Sequence, residues 1–157
     1  MFLLEFDQGS IREPSEKQAA DLAATSEMNL RYGYFETRIF VAATGFEAER
    51  VKSPLLDFVH CVLLAAQAVS GGQPGRISFT ESSLLIEFLP SGEGLTVLRS
   101  WDPVPGSCAA SDFLESAFRF SVDALNSIDE RHPDFRRNAY HETLSRMIEE
   151  ANPAPGR

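Results

Sequence analysis

A chain of 157 residues with 43% apolar side chains and 12 phenylalanines has the size and the material of one globular domain with a single core. Its 14 basic and 23 acidic residues give a net charge of −9, which disfavours a nucleic-acid backbone or an anionic membrane as partner and favours a basic protein. Met1-Phe2-Leu3-Leu4 runs directly into Glu5 and Asp7 with no basic stretch, so no export signal is expected, and Cys61 and Cys108 are expected as free thiols in a reducing cytosol.

Residues 2–6 read as a short strand, followed by a turn at Asp7-Gln8-Gly9-Ser10. Over residues 15–25, Ser15 and Gln18 have capping-box spacing. The apolar face behind them is thin, so a short helix and a surface loop both fit. Residues 29–42 read as the longest strand. Tyr32, Tyr34, Phe40 and Ala42 alternate with Phe35, Thr37, Ile39 and Val41, and Gly33 marks a bulge. Thr44-Gly45 turns the chain into a return strand over 46–52, whose mixed charge suits a sheet edge.

The stretch from Ser53 to Val69 is apolar on nearly every side. Ser53 is placed to cap its free N–H groups, and Pro54 suits the first helical position. Its length of about 16 residues falls short of a membrane span, so it reads as a central core helix. Leu55, Leu56, Phe58, Val59, Val62, Leu63, Leu64 and Val69 are its expected core side chains, and Asp57, His60 and Gln67 form its polar stripe.

Gly71-Gly72 ends that helix. Three short strands follow at 76–80, 84–89 and 95–100, joined by turns at Glu81-Ser82-Ser83 and at 90–94, and so form an antiparallel meander. Asp102-Pro103-Val104-Pro105-Gly106-Ser107 breaks the pattern and reads as a Pro/Gly-rich loop that runs on to Cys108. A helix is expected from Asp112, with Glu115 completing a capping box. Its core face is Leu114, Phe118, Ser121, Leu125 and Ile128, widened by Phe113, Ala117, Phe120 and Val122, and Glu115, Arg119 and Asp123 are spaced for ion pairs on the other face. Pro133 opens a last helix with a stripe of Tyr140, Leu144, Met147, Ile148 and Ala151, and Asn152-Pro153-Ala154-Pro155-Gly156 ends it.

The chemistry-bearing residues are few. Asp57 and His60, one helical turn apart, have the spacing to share a proton, and an enzyme would be built there if anywhere. No nucleophile elbow, phosphate loop or His/Cys ligand spacing occurs, so no catalytic residue, metal or cofactor is assigned. Between Ser53 and Ser116, seven acids stand against two bases. Three of those acids, Glu81, Glu93 and Asp102, lie in or beside meander turns. Trp101 beside Asp102 reads as either core or an interface anchor. Glu93, Trp101 and Asp102 are therefore the candidate partner-binding residues.

The element order implies one α+β domain: an antiparallel sheet, made of the long hairpin and the meander, packed against the central helix and the C-terminal helices. The hairpin at 30–52, the helix opening Ser53-Pro54-Leu55-Leu56-Asp57, and the meander ending Leu98-Arg99-Ser100-Trp101 together resemble the small acidic immunity proteins of bacterial polymorphic toxin systems, over about residues 30–130. The resemblance implies a cytosolic, non-enzymatic protein that binds and blocks a cognate toxin, and it carries no site residue with it. A homo-oligomeric structural or adaptor protein, dimerising through the last helix, is the alternative.

Overall fold

The computed structural model describes residues 1–79 and 83–153. The fold is α+β. The strands are β1 (Phe2–Phe6), β2 (Glu36–Ala43), β3 (Phe46–Pro54), β4 (Gly75–Ser78), β5 (Leu85–Ser91), β6 (Gly94–Arg99) and β7 (Asp102–Ala109). The helices are α1 (Glu16–Ala20), α2 (Glu27–Gly33), α3 (Leu55–Ser70), α4 (Ala110–Arg131) and α5 (Ala139–Glu150), with 3-10 turns at Gln8–Ser10, Leu22–Ala24 and Pro133–Arg137. The strands form two antiparallel sheets, in the orders β1-β2-β3 and β4-β5-β6-β7. The Ser107 N–H donates to the Thr44 carbonyl at 2.8 Å and joins them. Gly45 lies at φ 110° in the β2–β3 turn, and a Cβ there would stand 2.8 Å from the Pro105 carbonyl, so the turn is pressed against β7.

α3 is central, as its apolar surface predicts. It touches α2, α4, α5, β3, β4 and β5. Phe58, Val62 and Leu63 are 1, 0 and 2% exposed. Gly75 lets β4 lie directly on it, since a Cβ there would meet the Ala65 carbonyl at 2.8 Å. Leu64 departs from the expected core set: it is 48% exposed, on the turn of α3 that faces outward with Gln67. Ser53 does not cap the helix. It lies in β3, which Pro54 closes as the N-cap of α3; its hydroxyl donates to the Pro54 carbonyl at 3.2 Å, and the Leu55 N–H is satisfied by the Phe35 carbonyl at 3.1 Å.

The strand expected over 29–42 begins only at Glu36. Residues 27–33 are helical because the Ser26 hydroxyl accepts from the Asn29 N–H and Leu30 finds a fully buried site. Gly33 ends that helix instead of bulging a strand. Phe35 then turns the chain at φ 56°, a left-handed conformation that a bulky residue adopts only when its surroundings over-determine it. The Phe35 ring is 2% exposed.

The expected loop at 102–107 is instead β7. Its prolines are tolerated because Pro105 alternates with Gly106, which pairs with Val97, so its nitrogen faces away from β6 and no ladder bond is lost. The α4 helix starts at Ala110, two residues before Asp112, and the Ala110 N–H is held by the Glu93 carbonyl at 2.8 Å instead of by a capping box. Its deepest row is Phe113, Ala117, Phe120, Ala124 and Ile128, while Leu114, Phe118 and Val122 flank it half-buried. Arg119 pairs with Glu115 at 2.6 Å.

Pro133 opens a 3-10 turn, and α5 begins six residues later. Asn138 caps it by accepting from the Tyr140 N–H, while its amide donates to the Leu22 and Thr25 carbonyls, at 2.8 Å in each case. Tyr140, Leu144 and Ile148 are 3, 0 and 8% exposed. The stripe considered for self-association is thus largely consumed within the chain. Ser15 and Gln18 do form a capping box on α1. The Glu81-Ser82 part of the first meander turn and residues 154–156 lie outside the described residues. No described helix is long and apolar enough to cross a membrane.

Candidate functional site

Asp57 and His60 do not share a proton. The α2 helix brings Arg31 over the carboxylate, and its Nε and Nη2 both donate to Asp57 Oδ1, at 3.0 and 2.8 Å. Asp57 is 3% exposed, so this is a largely desolvated ion pair. His60 Nδ1 instead meets the Tyr140 hydroxyl at 2.7 Å, with the two rings stacked. Burial, then the Arg31 charge, lowers the imidazole pKa; burial raises that of the Tyr140 phenol. Both shifts favour a phenol O–H donating to a neutral imidazole. The nearest thiol, Cys61, is also pushed up by burial, away from the nucleophilic form. Both groups line none of the clefts described below. The arrangement joins α2, α3 and α5, and it assembles no nucleophile.

One pH effect follows. An imidazole whose folded pKa is lowered takes up its proton more readily in the unfolded chain. Its contribution is intact above about pH 6.5 and is lost as pH falls through that value towards the lower folded one. Denaturation by urea at pH 7.5 and pH 5.5 should show a smaller acid-induced loss in His60→Gln than in the wild type. Parallel losses would show that His60 is protonated equally in both states.

A second cluster has no forewarning in the sequence. His141 Nε2 lies 2.9 Å from Asp129 Oδ2, and the Ser145 hydroxyl lies 3.4 Å from His141 Nδ1. The order of carboxylate, imidazole and hydroxyl is that of a serine hydrolase. Ser145, however, sits inside α5, where the backbone N–H groups are spent on the helix, so none is available to hold an oxyanion. With Arg136 Nε 3.6 Å from the same carboxylate, the cluster pins α5 and the preceding turn to α4.

The structure brings Trp101 and Asp102 together, and leaves Glu93 apart. Their centre is Arg99, whose side chain is only 3% exposed. Arg99 Nη1 pairs with Glu49 at 2.8 Å, Nη2 donates to the Val104 carbonyl at 3.1 Å, and Asp102 stands 3.5 Å away. Its guanidinium lies 3.8 Å over the Phe46 ring. The Trp101 indole N–H donates to the other Glu49 oxygen at 3.0 Å, and Asp102 accepts from the Val104 N–H at 2.8 Å. Three elements, β3, β6 and β7, are locked across the seam between the sheets.

An open cleft of about 360 Å³ lies over this seam, rimmed by Phe46, Glu47, Glu49, Asp102 and Val104, with Arg99 at its base. Val104 is 49% exposed, and Glu47 is exposed with no ion pair among the described residues. Glu93 sits at the other end of β6, in the β5–β6 turn, where its carbonyl starts α4.

Of the residues at this seam, Arg99 is the one whose sequence position signals it. Arg99 falls in the inward row with Leu95 and Val97, a position where a charge needs an internal partner. Phe46 and Glu49 were less accessible to pattern, because simple alternation puts them on opposite faces. The ladder pairs Val41 with Glu49 and Ala43 with Phe46, so β3 has one extra residue there, and the bulge turns both towards Arg99.

Among the described residues no three His, Cys, Asp or Glu side chains converge to hold a metal. Comparison with protein-family models, with curated proteins and with solved structures found no match.

Proposed function

We propose that this protein is an acidic, cytosolic binding protein that blocks a basic protein partner by surface contact, in the manner of the immunity proteins its layout resembles. The observation that carries the reading is the seam cleft. Three carboxylates, Glu47, Glu49 and Asp102, surround a single guanidinium that is withdrawn from solvent. The field outside the cleft is therefore negative, on a chain already at −9, and such a field speeds encounter with a cationic surface. Half-exposed Val104 and partly buried Phe46 supply apolar contact among these charges.

The reading differs from the simplest one in the role of Trp101. Its indole N–H is committed to Glu49 and its ring stands edge-on to Phe79, with ring centres 6.3 Å apart, so it stiffens the cleft from behind. The contact residues proposed are Glu47, Val104 and Asp102, with Glu49 held behind them by Arg99 and Trp101. Capture of partners from a lysate of the source cells, followed by their identification, tests the reading. A basic protein that binds stoichiometrically supports it; an acidic protein or a nucleic acid would overturn it.

A further inference from the structure

We infer that the groove between β1 and α4 accepts an extended, Lys- or Arg-bearing segment of another protein, which pairs as an added strand with the outer edge of β1. This surface is separate from the seam cleft, and shares with the proposed function only the sign of the partner's charge.

The ladder between β1 and β2 is bracketed by the Thr44 N–H donating to the Met1 carbonyl at 3.1 Å and the Asp7 N–H donating to the Arg38 carbonyl at 3.0 Å. Residues 1, 3, 5 and 7 therefore turn their backbone groups to β2, and residues 2, 4, 6 and 8 turn theirs to the opposite side. At one end, the Ser116 hydroxyl of α4 satisfies the Phe2 carbonyl at 3.2 Å. At the other, Arg131 Nη2 satisfies the Gln8 carbonyl at 2.7 Å. Beside the packed contact of Phe6 with Phe120, a cleft of about 400 Å³ runs along the strand, lined by Phe2 to Phe6 and by Ser116, Arg119 and Asp123 of α4. By this register the N–H and C=O groups of Leu4 and Phe6 point to this side of the strand, and both residues line the cleft. They lie two residues apart, about 7 Å, which is the repeat at which an incoming strand presents its own donors and acceptors.

Two of the other edges are guarded by their own residues, and the third, β4, is only four residues long. Pro103 and Pro105 interrupt β7, and Glu, Arg and Lys alternate along β3. β1 is Phe-Leu-Leu-Glu-Phe, with neither proline nor lysine. Phe6 lies against Phe120 at 5.4 Å and gives the groove an apolar floor. Its rim carries Glu5 and Asp123, both exposed and neither in an ion pair among the described residues, whereas Arg119 is held by Glu115. Side chains that leave the added strand towards this rim are thus favoured when they are cationic.

The test uses the full chain, with amide hydrogen exchange read residue by residue, and a short capped peptide of alternating lysine and valine as probe. The expected result is exchange slowed about tenfold or more at Leu4 and Phe6, with Leu3 and Glu5 little changed because β2 already holds them. The Glu5→Lys/Asp123→Lys variant, altered only at exposed positions, should bind the peptide about tenfold more weakly, a loss of about 1.4 kcal/mol. A peptide methylated on alternate backbone nitrogens keeps its charge and should fail to protect either amide. Equal binding of the methylated peptide would overturn the inference. So would peptide effects confined to Glu47 and Asp102, or an absence of binding. Protection that appears without peptide and grows with protein concentration would assign the edge to a second copy of this chain, and would also overturn it. The seam reading stands or falls separately, on a different surface.

Discussion

Replacing Arg99 by alanine is expected to destabilise the protein by about 2–4 kcal/mol. Breaking a fully buried ion pair by deleting one partner costs roughly 3–5 kcal/mol, because the surviving charge is left without compensation. Here the surviving carboxylates are partly wet, with 29% of the Glu49 and 37% of the Asp102 side chain exposed, which places the cost below the upper end. The loss also removes the donor to the Val104 carbonyl and the cation over Phe46. For a chain of this length the midpoint of thermal unfolding should fall by roughly 5–15 °C. Arg99→Met keeps much of the stem over Phe46 and should lose less than Arg99→Ala. The Arg99 Nε has no partner of its own, so the full hydrogen-bonding capacity of the group is not at stake. Thermal unfolding of both variants checks this. A fall below about 1 kcal/mol would mean that the contact between Thr44 and Ser107 suffices to hold the sheets.

Phe58→Ala is expected to cost about 3–5 kcal/mol, the range for removing a large buried aromatic ring and leaving its cavity. Phe58 is 1% exposed, edge-on to Phe120 at 5.5 Å and tilted against Phe79 at 5.8 Å, so it bonds the central helix to α4 and to the chain after β4 at once. Val62→Ala, fully buried on the same helix, should cost about 1–3 kcal/mol. Leu64→Ala, at a half-exposed position two residues further on, should stay within about 0.5 kcal/mol of wild type. Urea denaturation of the three variants orders them. Equal losses at Val62 and Leu64 would contradict the orientation of α3.

The central helix was legible because its apolar surface is too wide for any amphipathic alternative. The meander was legible because its turns are short. What stayed hidden was decided by partners distant in the chain. Residues 29–35 carry an aromatic alternation that imitates a strand, and only the Ser26 cap, the Leu30 site and the Arg31–Asp57 pair make the part up to Gly33 helical. The prolines of β7 argue for a loop until the strand is known to lie at an edge, where a nitrogen facing away from its neighbour costs nothing. Asp57 and His60 looked like a pair because sequence shows spacing along one helix but not what packs over it: Arg31 took one and Tyr140 the other. Of the candidate contact residues, the proximity of Trp101 and Asp102 follows from adjacency. Their relation to Glu49 depends on a bulge in another strand, and no local pattern encodes it.

The central claim is that the seam cleft attracts a basic protein, and association kinetics test it most directly. The measurement is the binding rate of the captured partner to wild type and to Glu47→Lys, at about 0.05 M and about 0.3 M salt. Glu47 is exposed and makes none of the contacts that hold Arg99, so the variant should fold normally. Exposed charges are screened beyond roughly 8–10 Å near physiological ionic strength. The account predicts that salt slows wild-type association several-fold, and that Glu47→Lys slows it by about three- to tenfold at low salt, with dissociation changed by less than about twofold. Association rates indifferent to salt and to the charge at Glu47 would contradict it.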